Sequence, residues 1–271
     1  RRRLLRQDEN VFRIAETIPL ESCVRMPVFF VAPECVTPPT ISIAGDLLTH
    51  IRNSLRIESG ECLWFSNGQG TRYRAEVTGI SKQSVVGQIL EILHEPVHVA
   101  PRLVLGQSLL KGEKMDWVIQ KATELGVQEI IPIESRHSIV QLKPDRLDHQ
   151  LSRWQRIALE AAQQSEQWRV PTIARPQSLP TVLARSGMSC TILILAERQH
   201  GQSLQRAALP QGTNNSLLLL IGPEGGWSTE EMEIAGKGGV EPLTLGQQIL
   251  RAETAAIAAI SILQSRLGKL G

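Results

Sequence analysis

Residues 216–231 read SLLLLIGPEGGWSTEE, a run of leucines that leads into a glycine-rich bend and then into a helix start. The uninterrupted apolar run Leu217–Ile221 is typical of a strand that is buried on both faces of a parallel sheet. Ser228 and Glu231 have the spacing of a capping box, in which two side chains satisfy backbone N–H groups at the start of a helix. The stretch therefore predicts a strand, a tight bend and a helix, which is the repeating unit of an α/β domain.

The same alternation of strand and helix patterns continues on both sides of this stretch. Further strands are predicted at Leu103–Leu105, Val127–Ile133, Thr191–Ala196 and Leu243–Leu245, and helices at Glu113–Leu125, at Leu151–Ala162 and from about 253 to 267. We therefore expect residues 99–271 to form a domain with a parallel sheet.

Residues 27–98 have a different pattern, in which short β-favouring runs are separated by turns. The runs are Val28–Val31, Cys62–Phe65, Thr71–Thr78 and Val85–Leu93, with an Asn-Gly-Gln-Gly turn at 67–70 and a helical turn at 50–56. They favour a small β-barrel in front of the α/β domain. Residues 1–26 are polar and begin with a basic cluster, so we expect a flexible extension there.

The composition limits the classes of function. The chain has 271 residues, a formal net charge of +2 and 42% hydrophobic residues, enough for a substantial core. No apolar run reaches the roughly 18 residues of a membrane span, so we expect no membrane association. The four cysteines form no C-x-x-C pair, which indicates reduced thiols in a cytoplasmic protein. No cluster of ligands predicts a metal site.

The bend at 222–226 is the first candidate binding loop, because ligands of open parallel sheets bind beyond the carboxyl ends of the strands. Gly222, Gly225 and Gly226 permit a close approach of the backbone, and Pro223 stiffens the bend. The spacing matches neither the dinucleotide-binding fingerprint nor the P-loop. Taken alone, the bend could also be a plain turn between a strand and a helix.

The second candidate loop is LGQQILRAET at 245–254, which follows another strand and opens the last helix. Ile249 and Leu250 could form the wall of an adenine-sized pocket. Arg251 and Glu253 place opposite charges at the helix start, and an ion pair on a packed turn is the alternative interpretation. A third strand ends at Leu195.

Two of these motifs together resemble a known class of enzymes. IGPEGGWSTEE at 221–231 and LGQQILRAETAAIAAI at 245–260 resemble the C-terminal signature of SPOUT-class RNA methyltransferases. KGEKMDWVIQKATELGVQEIIPIESRHS at 111–138 is similar to one family of that class, the bacterial small-subunit ribosomal RNA methyltransferases that modify N3 of a uridine. The front part, with HIRNSLRIESGE at 50–61, looks like that family's PUA-like RNA-binding domain. The resemblance spans about 27–268.

The resemblance implies a fold and a set of partners. The C-terminal domain would be a parallel sheet with a deep trefoil knot that holds S-adenosylmethionine, behind a PUA-like β-barrel. The substrate would be ribosomal RNA or the small ribosomal subunit, and the protein would be a homodimer with the substrate pocket near the dimer interface. One departure is Gln247-Gln248, where members commonly carry a Pro-Arg or similar pair.

The resemblance also implies site residues. The adenine would lie among Leu195, Leu245, Ile249 and Leu250, with backbone groups of Gly222 and Gly246 at its edge. The whole cofactor set is Leu195, Gly222, Pro223, Gly225, Gly226, Leu245, Gly246, Ile249, Leu250, Arg251 and Thr254.

Three side chains are candidates for the chemistry. Arg251 would stabilise the anion that forms when uridine N3 loses its proton. Glu224 could be the base that takes the proton, or it could bond local amides. Arg136 is a candidate for binding the substrate or a phosphate.

Two other functions remain open at this point. Other SPOUT-class enzymes methylate a ribose 2′-hydroxyl, although the segments KGEKMDW and ESRHS favour a base. A non-catalytic RNA-binding protein with a degenerate α/β domain is the alternative from another class, and the retained glycines at 222–226 and the retained Arg251 count against it.

Overall fold

The structure is a computed structural model that describes residues 28–45, 47–49, 51, 57–97, 100–185, 189–196, 201–212 and 214–270. It divides into two compact units, and the division falls between Pro96 and Val97. The extension predicted over 1–26 lies outside the described residues, as does most of the helical turn predicted over 50–56.

The first unit contains one six-stranded sheet with the strand order β1-β4-β5-β6-β3-β2. The four β-favouring runs predicted from the sequence are four of these strands, and the short strands β2 and β3 were not predicted. The six strands are β1 Val28–Phe30, β2 Val36–Thr37, β3 Thr40–Ile43, β4 Cys62–Ser66, β5 Thr71–Ile80 and β6 Val85–His94.

The turn between β4 and β5 is held by a side chain. Asn67 Oδ1 accepts hydrogen bonds from the N–H of Gln69 at 2.8 Å and of Thr71 at 3.1 Å. Such Asx bonds fix tight turns. Alternate residues of β5, Ala75 and Val77, are buried in the core of the unit, which explains the period-two pattern of this strand.

The second unit contains an eight-stranded sheet whose pairs are all parallel. Its strand order is β10-β8-β7-β13-β11-β14-β12, with β9 paired to β8. The strands are β7 Arg102–Ser108, β8 Glu129–Glu134, β9 Thr172–Ile173, β10 Gln177–Ser178, β11 Cys190–Leu195, β12 Gln202–Ser203, β13 Ser216–Ile221 and β14 Pro242–Thr244.

Five α-helices are described in this unit, and they pack on its sheet. They are α1 Lys114–Glu124, α2 Pro144–Gln164, α3 Leu179–Leu183, α4 Thr229–Lys237 and α5 Ala252–Arg266. Leu217 and Leu219 of β13 belong to the core that also holds α1, α2 and α5, whereas Leu218 and Leu220 belong to the core with α3 and α4. The leucine run is therefore buried on both faces, as predicted.

The order of the strands interleaves distant parts of the chain. Strands β11 and β12 are consecutive in the sequence, but they are not neighbours in the sheet. Strand β14, which comes later in the sequence, lies between them. The capping box of α4 is confirmed, since Glu231 Oε2 accepts from the N–H of Ser228 at 2.8 Å and Ser228 Oγ accepts from that of Glu231 at 3.2 Å. The trefoil knot stays a prediction from the resemblance.

Leu219→Ala should lower the free energy of unfolding by about 3 kcal/mol, because Leu219 is fully buried at the centre of the sheet and its truncation leaves a cavity. Leu159→Ala on α2 is the control, since Leu159 is 40% exposed and its truncation should cost less than about 1 kcal/mol. Urea unfolding measured by circular dichroism compares the two variants. Equal losses would contradict this placement of β13.

Candidate active site

The register of the sheet brings the predicted loops to one edge. Leu195, the last residue of β11, pairs with Ile221, the last residue of β13, and also with Leu243 of β14. Because these strands are parallel, the segments that follow them leave the sheet on the same side. The bend at 222–226 and the loop at 245–251 are therefore neighbours in space.

A cavity of about 440 Å³ opens between these segments. It is bounded by the end of β11, the glycine bend with the start of α4, the loop before α5, and one histidine from the segment after β8. The lining residues are His137, Leu195, Ala196, Ile221, Gly222, Pro223, Glu224, Gly225, Gly226, Trp227, Met232, Ile249, Leu250, Arg251, Ala252 and Ala255.

Most of the predicted cofactor residues line this cavity. They are Leu195, Gly222, Pro223, Gly225, Gly226, Ile249, Leu250 and Arg251. Leu245 instead lines an adjoining gap of about 10 Å³, which shares Leu195 and Leu250 with the cavity but is far smaller than an adenine.

Gly246 and Thr254 line neither space. The N–H of Gly246 donates to Thr244 Oγ1 at 3.2 Å, so the hydrogen bond that a ligand could receive from it is already made within the chain. Thr254 is an exposed residue in the first turn of α5. Their roles as cofactor ligands stay predictions.

The absence of a side chain at Gly222 leaves room for a tryptophan against the bend. A Cβ atom at this position would lie 3.2 Å from the indole ring of Trp227. The indole Nε1 in turn donates a hydrogen bond to the carbonyl of Leu195 at 2.9 Å. The missing side chain thus lets Trp227 lie against the bend and tie it to the end of β11.

His137 also contacts the glycine bend. A Cβ atom at Gly225 would lie 3.0 Å from that of His137, and His137 Nδ1 donates to the carbonyl of Gly226 at 3.1 Å. The buried carboxylate of Glu231 holds this segment, because its Oε1 accepts from the N–H of Arg136 at 3.0 Å. The capping box of α4 therefore also positions one wall of the cavity.

Arg251 is the cation on the cavity wall. It is the N-cap residue of α5, but its side chain makes no capping hydrogen bond, and it is exposed. Among the described residues, no carboxylate forms an ion pair with its guanidinium. The charge is therefore available to a ligand.

Arg136 does not line the cavity. Its guanidinium lies 3.2 Å from Glu230, and both side chains are mostly exposed, at 67% and 60%. Such an exposed pair contributes little to stability and is readily exchanged for another anion.

The carboxylate of Glu224 is engaged by the ammonium of Lys114 and by backbone amides. Lys114 Nζ donates to Glu224 Oε1 at 3.0 Å, and the backbone amides of Glu224 and Lys111 also donate to this carboxylate. Burial raises the pKa of Glu224, but these hydrogen bonds outweigh it, so the pKa lies below its ordinary value. A carboxylate with a lowered pKa is a weaker base.

A larger surface groove of about 870 Å³ lies elsewhere, between α1 and α2. Its charged lining includes Glu113, Asp116, Glu124 and Glu160 against Lys121 and Arg153, and none of the predicted site residues borders it. Its excess of carboxylates is unsuited to binding RNA phosphates.

Two family models match the chain. The model described as an RNA methyltransferase domain matches residues 98–264, and the one described as an RNA methyltransferase PUA domain matches residues 43–90. The chain belongs to the RNA methyltransferase family. The fold predicted from the sequence, a PUA-like domain followed along the chain by a parallel-sheet SPOUT-like domain, is thereby confirmed.

Curated members of this family are similar over most of their length. The ribosomal RNA small subunit methyltransferase E of Bacillus subtilis is 32% identical over 229 residues, which cover 82% of this chain and 89% of the relative. The protein of the same name from Synechocystis is 30% identical, over 88% of this chain and 77% of the relative.

Solved structures of the family have the same fold. The ribosomal RNA small subunit methyltransferase E of Neisseria gonorrhoeae, bound to S-adenosyl methionine, superposes with a TM-score of 0.78 at 30% identity, over 89% of this chain and 98% of that one. A Legionella pneumophila methyltransferase in complex with the same cofactor also has a TM-score of 0.78, at 29% identity, over 90% and 98%.

Several residues of this family member's site were not predicted from the sequence. His137 and Trp227 were not among the predicted site residues, yet both line the cavity. The position of Trp227 directly after the glycine bend was the available signal. The ion pair of Lys114 with Glu224 joins segments 110 residues apart, which no local pattern reveals.

The described residues contain neither a grouped set of metal ligands nor a helix that could span a membrane. Within the described part of the chain, no three His, Cys, Asp or Glu side chains are grouped so that they could hold a metal ion. None of the helices described is both long enough and apolar enough to cross a membrane.

Lys114→Met should raise the pKa of Glu224, because burial then acts without the opposing ammonium. In the unmodified protein the lowered pKa of Glu224 stabilises the fold at pH values above 4.5, the ordinary pKa of the group. This stabilisation is lost as the pH falls through the lowered pKa. Carbon-13 NMR of the Glu224 carboxyl measures the midpoint.

The matched control is Lys121→Met, since Lys121 lies on the same helix and pairs with Glu124 at 2.7 Å. It should leave the titration of Glu224 unchanged. A midpoint that stays in place when Lys114 is replaced would contradict the ion pair.

Proposed function

We propose that this protein transfers a methyl group from S-adenosylmethionine to N3 of a uridine in the 16S RNA of the small ribosomal subunit. The observation that carries the proposal is the cavity at the sheet edge of this RNA methyltransferase family member. The glycine bend and Arg251 both line it, and no carboxylate of the described residues pairs with Arg251. The relatives named as small-subunit ribosomal RNA methyltransferases support the choice of RNA.

The residues of the cavity fit S-adenosylmethionine. The volume of about 440 Å³ lies within the roughly 300–1,000 Å³ that is usual for small-molecule sites. Leu195 and Leu250 offer an apolar wall, and the glycine bend offers backbone groups to the polar parts of the ligand. Ile249 is 67% exposed, and a bound adenosine moiety would cover this apolar side chain.

The cofactor supplies an activated methyl group, so the protein mainly has to align the acceptor nitrogen and exclude water. N3 of uridine must lose its proton before or as it reacts. The guanidinium of Arg251 would stabilise the resulting anion, because it lines the cavity and no described carboxylate neutralises it.

Glu224 and Arg136 have supporting roles in this proposal. Glu224 anchors the glycine bend rather than acting as the base, since its carboxylate is engaged by Lys114 and its pKa is lowered. Arg136 contacts an RNA phosphate, for which it would exchange its exposed partner Glu230.

The proposal extends to domains and partners. Residues 27–98 would bind the RNA, and residues 99–271 would hold the cofactor. The protein would act in the cytoplasm as a homodimer, for which the resemblance to the family is the support.

The decisive experiment is incubation with methyl-labelled S-adenosylmethionine and purified small and large ribosomal subunits. We expect label in the 16S RNA of the small subunit, and mass spectrometry of the digested RNA should place the methyl on N3 of a uridine. A methyl on a ribose would indicate 2′-O methylation instead. An unlabelled product, with no cofactor binding in calorimetry, would favour the non-catalytic RNA-binding protein.

Arg251→Ala should lower the methylation rate about 100-fold or more, the usual loss when one group that stabilises a developing anion is removed. Its side chain caps no helix, so the melting temperature should stay unchanged. Arg185→Ala is the control, because Arg185 pairs with Glu129 at the start of β8, the opposite end of that strand from the cavity. A folded Arg251→Ala variant with near-normal turnover would remove Arg251 from the mechanism.

Gly222→Val should weaken S-adenosylmethionine binding at least about tenfold, because a branched side chain at this position displaces Trp227 from the bend. Gly236→Val on α4 is the matched control, since open space surrounds that position and it does not line the cavity. Isothermal titration calorimetry gives both affinities. Equal affinities for the two variants would show that the bend does not form the site.

A further inference from the structure

Lys114 lies between the two loops that line the cavity. It is the first residue of α1, and its Nζ lies 3.0 Å from Glu224 Oε1 in the glycine bend. The same Nζ lies 3.6 Å from Glu253 Oε2 in the first turn of α5. One ammonium thus contacts carboxylates from both loops.

The position of Lys114 on its own helix is unfavourable. A cation in the first turn of a helix faces the positive end of the helix dipole. The N-cap residue Glu113 makes no side-chain capping bond, so the start of this helix gains nothing from capping. The favourable interactions of the Lys114 charge are those with Glu224 and Glu253.

Glu253 depends on this contact. Its Oε2 atom is shielded from solvent and has no hydrogen-bond partner, and its side chain is only 16% exposed. Among the described residues, Lys114 is the cation that pairs with it. Without Lys114 this shielded carboxylate would have no cation paired with it among the described residues.

We propose that Lys114 is a positioning residue that ties the glycine bend to the start of α5 and so fixes the width of the cavity between them. The ammonium joins the two loops through Glu224 and Glu253, and it does not itself line the cavity. This link between the two loops exists in the protein without ligand. Its effect on the binding of S-adenosylmethionine rests on the function proposed above.

The first test uses the protein without ligand. Hydrogen exchange followed by mass spectrometry should show about tenfold faster exchange in the segments 222–227 and 249–254 of Lys114→Met than in the unmodified protein. The control is Lys121→Met, which removes an ion pair within the same helix. Exchange in segments 222–227 and 249–254 should not change in this variant.

The second test measures S-adenosylmethionine binding by calorimetry. Lys114→Met should weaken binding about tenfold, whereas Lys114→Arg should restore most of it because the charge is kept. Adding Glu253→Gln to Lys114→Met should also restore part of the affinity, since it removes the uncompensated carboxylate. A merely local loss of packing would not be rescued by this second change.

The outcomes separate the tie from the proposed function. Unchanged exchange in Lys114→Met overturns the tie whether or not the cofactor binds. Faster exchange with unchanged affinity overturns the claim that the tie sets the width of the cavity. An unmodified protein that binds no S-adenosylmethionine refutes the proposed function, and the exchange data still decide on the tie.

Discussion

The parallel register of β11, β13 and β14 is the constraint on which the site depends. Leu195 is paired with both Ile221 and Leu243, so three strands end at nearly the same level of the sheet. The leucine run of β13 is buried on both faces, and a shift by one residue would move its side chains into the opposite core. The hydrophobic core therefore determines where the binding loops begin.

Polar contacts then determine how the loops leave that edge. Trp227 bonds to the end of β11, His137 bonds to the glycine bend, and Glu231 holds the segment of His137 while it caps α4. The cavity between the loops is lined by apolar side chains, by Trp227 and His137 themselves and by the cation of Arg251. This arrangement is suited to a nucleoside-like ligand that carries its own reactive group.

The sequence predicted most of the strands and helices, because burial on one or both faces leaves a period that can be read locally. It also predicted the glycine bend, the capping box and Arg251 on the cavity wall. It did not predict the strands β2, β3, β9, β10 and β12 or the helix α3, which are too short to leave a clear period. It also did not predict the contacts of Lys114, because these depend on which distant segments the topology brings together. The expected contact of Gly246 with the cofactor stays a prediction, and in this structure its N–H is bonded to Thr244, two residues away.

The most informative measurement is a crystal structure of the protein with S-adenosylmethionine, because the position of the cofactor shows whether the ends of β11, β13 and β14 form its site. We expect the cofactor to fill the cavity bounded by Leu195, the glycine bend and Leu250, with its methyl group open to the side of Arg251. A cofactor bound in the groove between α1 and α2, or at any other surface, would contradict it.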